Sequence, residues 1–174
     1  MTVDYDFTNR VVVVTGGASG MGAASVREFV SRGALVAIVD RNAAGARTVA
    51  EQSAELGHPP IVIAGDVAES GFCESVIDQV IKTHNRVDVL VNAAGTIHRA
   101  DSLGTSDDDW RRVMSINVDG MFYLCRAALR PMVAANSGVI VNFGSIWGGV
   151  GSAGSTAYCV SKGCLLYTSD AADE

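Results

Sequence analysis

The sequence is poor in proline, cysteine and aromatic residues: 3 Pro, 4 Cys and 6% aromatics among 174 residues. Cys73, Cys125, Cys159 and Cys164 form no CxxC pair, and His58, His84 and His98 are scattered. That excludes a disulfide scaffold and a Cys/His metal site, so no metal is expected. Basic runs are also missing. With 13 Lys+Arg against 19 Asp+Glu the net charge is −6, which argues against a nucleic-acid partner. No apolar run approaches the ~18 residues of a membrane span. The opening MTVDYDFTNR is polar and acidic, unlike a secretory signal. A reducing cytoplasm is the expected compartment.

The composition is 48% hydrophobic and 18% charged, with 19 glycines. This excludes disordered, collagen-like and coiled-coil chains and fits one globular domain. Five short Val/Ile-rich runs recur: Arg10–Thr15, Ala34–Val39, Ile61–Ala64, Val87–Val91 and Gly138–Phe143. They mostly do not alternate, which marks strands buried on both faces of a parallel sheet. Amphipathic stretches near 20–32, 43–56, 69–84 and 106–135 read as the intervening helices. Strand–helix alternation predicts an α/β fold with a doubly wound parallel sheet. The glycine-rich stretch Gly148–Ser155 reads as a mobile loop.

Strand one runs into Thr15-Gly-Gly-Ala-Ser-Gly-Met-Gly22, with Gly16, Gly20 and Gly22 spaced GxxxGxG. Glycines allow a tight turn and close approach of backbone to a pyrophosphate, and the next helix offers free N–H groups. A plain glycine-rich turn is the alternative. Strand two ends at Asp40, 18 residues past Gly22. A carboxylate there can accept hydrogen bonds from the adenosine ribose and would repel a 2′-phosphate, which favours NAD over NADP. Arg41 could attract that phosphate. Asp40 could equally be the N-cap of the next helix.

Ser145 follows strand five, where a substrate would sit in an open α/β sheet; a turn serine is the competing reading. Tyr158 and Lys162 are four apart and share a helix face. A phenol with a pKa near ~10 is a poor base until a neighbouring ammonium stabilises its phenolate. Tyr158 could then exchange a proton with an alcohol or carbonyl oxygen. Asn117 lies on an apolar stripe through Trp110, Val113, Met121, Leu124 and Ala128, where a buried amide must find partners.

In order, the Thr15–Gly22 turn, Asp40, Asp66-Val67, Asn92-Ala93-Ala94-Gly95, Asn117, Ser145 and Tyr158-x-x-x-Lys162 closely resemble the short-chain dehydrogenase/reductase family. The resemblance covers roughly residues 7–163. It implies a Rossmann-like sheet of strand order 3-2-1-4-5 and a nicotinamide cofactor. Gly16, Ser19, Gly20, Met21 and Gly22 would cradle the pyrophosphate. Asp40 and Arg41 would meet the adenosine ribose, and Asp66 with Val67 the adenine. Asn92, Ala93 and Gly95 would brace strand four near the nicotinamide ribose. By the same resemblance Tyr158 is the acid/base and Lys162 tunes it while holding the ribose. Ser145 would position the reacting oxygen, and Asn117 would anchor a relay water. The substrate would be a small alcohol or carbonyl compound. An NADP-dependent 3-oxoacyl-thioester reductase, or a nucleotide-binding fragment without catalysis, are the alternatives.

Family members are longer and are commonly dimers or tetramers, built on the helix near 106–135 and the helix that begins near Thr156. The family's later strands are absent from these 174 residues. Cys164–Glu174 resembles the translation of a transposase sequencing adapter. The expectation is an incomplete Rossmann domain over 1–163, a non-native tail over 164–174, and no activity in this chain by itself. Without that tail, 13 bases face 16 acids, a charge of −3.

Overall fold

The computed structural model describes residues 5–169. Five parallel strands form one sheet: β1 (Val11–Thr15), β2 (Leu35–Asp40), β3 (Ile61–Ala64), β4 (Val89–Asn92) and β5 (Val139–Asn142). Their order is β3-β2-β1-β4-β5, as the resemblance implies. The helices are α1 (Gly20–Ser31), α2 (Ala43–Ala54), α3 (Ser70–His84), α4 (Asp107–Met114), α5 (Gly120–Ala134), α6 (Ile146–Gly149) and α7 (Thr156–Ser169).

The valine run of β1 explains the layering. Its side chains alternate between faces, and both faces are covered. Val11 and Val13 join Ala37, Val39 and Leu90 against α3 and α5. Val12 and Val14 join Val36 and Ile38 against α1 and α2. Every residue of β1 is buried. Just before β4 the carboxylate of Asp88 accepts hydrogen bonds from Val11 N–H at 2.8 Å, Arg86 Nε at 2.8 Å and Arg10 Nη1 at 3.1 Å. This pins the end of the sheet remote from the glycine turn.

One expectation changes. The helix expected over 106–135 is broken by a π-turn at Ser115–Asp119, which separates α4 from α5. The extra residue shifts the buried face, so Val113, Ile116, Asn117, Gly120 and Leu124 turn inward. Trp110 is left partly exposed. The segment 148–155 is anchored at its two ends, with residues 149–151 and 153–154 exposed between them. Its first two residues complete α6, Ser152 N–H donates to Cys159 Sγ at 3.4 Å, and Ser155 is fully buried. The helix α7 that begins at Thr156 runs to Ser169, with Leu165 buried. Residues 170–174 of the expected tail lie outside the described residues.

Candidate active site

The glycine turn lies between β1 and α1, beside the β1/β4 switch in strand order. Gly16 adopts φ +66°, its N–H donates to Val39 O at 2.8 Å, and a Cβ there would come within 2.8 Å of the Ala94 backbone. A Cβ on Gly22 would collide with Gly16 O. Gly20, at φ +52°, has nothing within 4 Å of where its Cβ would project. Ser19 is the N-cap of α1, yet its side chain makes no capping bond. The first N–H groups of α1 therefore remain available to an anion. Met21 is exposed.

Asp40 ends β2 beside this turn. Its Oδ2 accepts from Ala18 N–H at 3.0 Å and its Oδ1 from Asn42 N–H at 2.8 Å. The N-cap of α2 is Asn42, which accepts from Gly45 N–H at 3.0 Å, so Asp40 does not cap that helix. Asp40, Arg41, Asp66 and Val67 line one small cavity with Gly16 and Gly95. Asp66 Oδ1 accepts from Ala68 N–H at 2.9 Å, and Val67 is buried. Open space at Gly20, unused α1 amides and a carboxylate over the adjoining hollow fit an adenine dinucleotide.

The other half of the site hangs from β4, β5 and α7. Asn92 is buried and its Nδ2 donates to Asn142 Oδ1 at 2.9 Å, which ties β4 to β5. Ala94 N–H donates to Thr15 Oγ1 at 3.0 Å, which ties the same segment to β1. Ser145 caps α6, its Oγ accepting from Trp147 N–H at 3.2 Å. The serine hydroxyl proton is thus left for another acceptor. Ser145, Tyr158 and Lys162 line one open cleft of about 560 Å³, together with Ala93 and Gly95.

Tyr158 and Lys162 share a face of α7 as the spacing predicts, with Lys162 Nζ 5.8 Å from the Tyr158 ring centre. Lys162 is only 6% exposed, and its Nζ donates to Phe143 O at 2.6 Å. Burial pulls the Lys162 ammonium below its ordinary value. A Cβ on Gly148 would come within 2.6 Å of the Lys162 carbonyl, so α6 rests directly on the backbone of α7.

Asn117 does not line that cleft. Its Oδ1 accepts from Thr96 N–H at 2.8 Å, and its Nδ2 donates to Thr96 O at 2.9 Å and to Ser161 Oγ at 2.9 Å. Ser161, fully buried, donates in turn to Tyr158 O at 2.8 Å. The amide therefore braces the first turn of α7 against the segment after β4. Thr96, Trp147 and Ser161 were not singled out from the sequence. Ser161, inside the YxxxK spacing, carried no signal beyond its position next to Lys162.

The chain matches the short chain dehydrogenase family over residues 10–174 and belongs to that family. It is 34% identical over 173 residues to a 3-oxoacyl-(acyl-carrier-protein) reductase, FabG, of Chlamydia pneumoniae, covering 99% of this chain and 70% of that protein. It is 37% identical over 164 residues to D-threitol dehydrogenase of Mycolicibacterium smegmatis, covering 93% and 63%. An NAD+-bound xylitol dehydrogenase crystal structure superposes with a TM-score of 0.93 at 29% identity, covering 97% of this chain and 65% of that one. The chain thus spans 63–70% of the length of these proteins. Among the described residues no helix is long and apolar enough to cross a membrane.

Proposed function

We propose that the protein carrying this segment is an NAD(H)-dependent oxidoreductase acting on an alcohol and its carbonyl counterpart. The observation that carries the reading is one cleft lined by Ser145, Tyr158 and Lys162, next to a hollow that joins Gly16 of the glycine turn to Asp40 at the end of β2. The bound nicotinamide supplies or accepts the hydride. The chain's own residues do the rest. The Tyr158 hydroxyl gives a proton to the reacting oxygen or takes one from it, and Ser145 Oγ–H holds the same oxygen in place. The Lys162 ammonium stands beside the Tyr158 ring, 5.8 Å from its centre, and would hold the nicotinamide ribose. Asn117 keeps α7 in register through Ser161.

Asp40 supports NAD over NADP because its carboxylate would oppose a 2′-phosphate. Arg41, exposed on the same cavity, is the feature that favours the NADP-dependent thioester reductase reading. Titration of both cofactors tests this. NAD(H) binding at least tenfold tighter, about 1.4 kcal/mol, supports the proposal, and equal affinity or an NADP(H) preference defeats it. We further propose cytoplasmic residence, self-association, and a foreign origin for residues 164–174. Source DNA that encodes Cys164–Glu174 within the natural reading frame would refute the last of these.

A further inference from the structure

Apolar side chains surround the two hydroxyls of the cleft at Ser145. Ile146 is 77% exposed at its rim, and Ile97 is also exposed. Trp147 lines the same cleft, its ring at 89° to the Tyr158 ring with centres 5.9 Å apart. Trp147 also lines a second, shallow apolar hollow with Cys159 and Val160, so it is shared by the two spaces. Its backbone is not free to drift. Trp147 N–H donates to Ser145 Oγ, and Gly148 N–H donates to Ser145 O at 3.0 Å, while Gly148 abuts Lys162. The group proposed to hold the reacting oxygen and the indole beside it thus stand two residues apart on one capped turn.

Charge around the cleft is equally informative. Among the described lining residues no carboxylate occurs, and Lys162 is the one cation. That residue is buried, and its Nζ donates to Phe143 O. The amide and carbonyl of Thr96 are taken by Asn117. A substrate with several hydroxyls or a carboxylate would place polar groups against hydrocarbon without partners, which costs binding energy. Exposed apolar side chains clustered around a concave site mark a surface that a ligand covers.

We propose that Trp147 determines specificity and that the substrate is a neutral secondary alcohol, or its ketone, presenting a hydrocarbon ring or branched alkyl face to Trp147, Ile97 and Ile146. The proposal rests on the oxidoreductase reading for its chemistry, while the wall itself is independent of turnover. The first test compares cyclohexanol with xylitol as substrates of the full-length enzyme. The expected kcat/KM favours cyclohexanol at least tenfold. Trp147→Ala lowers the cyclohexanol value at least tenfold and the xylitol value less than threefold, and Trp147→Phe recovers the cyclohexanol value to within threefold. Ile146→Ser, at an exposed position that spares the core, also narrows the preference. A preference for xylitol, or an equal loss for both substrates in Trp147→Ala, overturns the proposal.

The second test reads binding without turnover. Trp110→Phe removes the other tryptophan of these 174 residues. Cyclohexanone added to that variant with NADH present is expected to change its fluorescence saturably, and xylitol is not. Saturable binding without any turnover upholds the wall and defeats the oxidoreductase reading alone. Absence of a saturable change defeats the wall.

Discussion

Gly16 and Asp40 hang from β1 and β2, which have a strand on each side and whose residues are almost all buried. Ser145 follows β5, the outermost strand among the described residues, in which Val139 is 56% exposed and Val141 43% exposed. The two ends of the site therefore differ in how firmly they are held. The nucleotide end is enclosed by its own strands. The catalytic end relies on cross-ties: Asn92 to Asn142, Lys162 to Phe143, and Asn117 through Ser161 to Tyr158. A covered strand keeps its register by packing, whereas an edge strand keeps it by specific polar contacts and by whatever else covers it.

The sharpest way to separate the two ends is Tyr158→Phe. Turnover is expected to fall by about 10²–10⁴-fold, the usual contribution of a positioned acid/base. Cofactor affinity should stay within twofold, as measured by NADH fluorescence titration, because the phenol belongs to the catalytic end. Asp40→Ala is the converse. NAD(H) affinity is expected to drop about tenfold, or about 1.4 kcal/mol, and discrimination against NADP(H) to vanish, with turnover at saturating cofactor largely kept.

Ser161→Ala probes the cross-tie itself. Losing a buried hydroxyl that serves both Asn117 and the Tyr158 carbonyl should cost about 1–3 kcal/mol of stability. It should also lower kcat severalfold with the KM for NAD unchanged, and Ser161→Thr should recover part of both. Equal losses in kcat and cofactor affinity would show that the brace serves the whole site.

Edge behaviour gives a further contrast. The 174-residue chain expressed alone is expected to aggregate and to lack alcohol-dependent NADH formation, because β5 presents an apolar edge. Val141→Lys should raise its soluble fraction, and a soluble, active wild-type chain would contradict this account.

The smallest effect on activity is expected at Asp88, at the far end of the sheet. Burial pushes its carboxyl up, but hydrogen bonds from Arg86, Val11 N–H and Arg10 outweigh this and hold it below its ordinary value. A lowered folded-state value means that the stabilisation is present above the unfolded pKa of about 3.9 and is lost as pH falls through the folded value. Asp88→Asn should lower the melting temperature at neutral pH with kcat unchanged. The deficit relative to wild type should shrink as pH drops below about 4. A constant deficit across that range would place the loss in packing rather than charge.

Strand positions, the glycine turn and the Asp40 carboxylate were all readable from residue order, because buried parallel strands and tight turns impose local demands that each segment meets by itself. The shared face of Tyr158 and Lys162 followed from helical spacing in the same way. The π-turn at Ser115–Asp119 was not readable. A single inserted residue leaves an apolar stripe nearly intact in one dimension while rotating Trp110 outward and Asn117 toward Thr96 and Ser161. Nor did the sequence reveal the anchors at the two ends of segment 148–155, since glycine-rich composition says nothing of the side chains that meet it. Local chemistry determined which residue types the protein brings to this end of the sheet. Only the tertiary structure decided that Trp147 stands against Tyr158 and that Lys162 lies under Phe143, because those contacts join segments whose separation along the chain carries no trace of their distance in space.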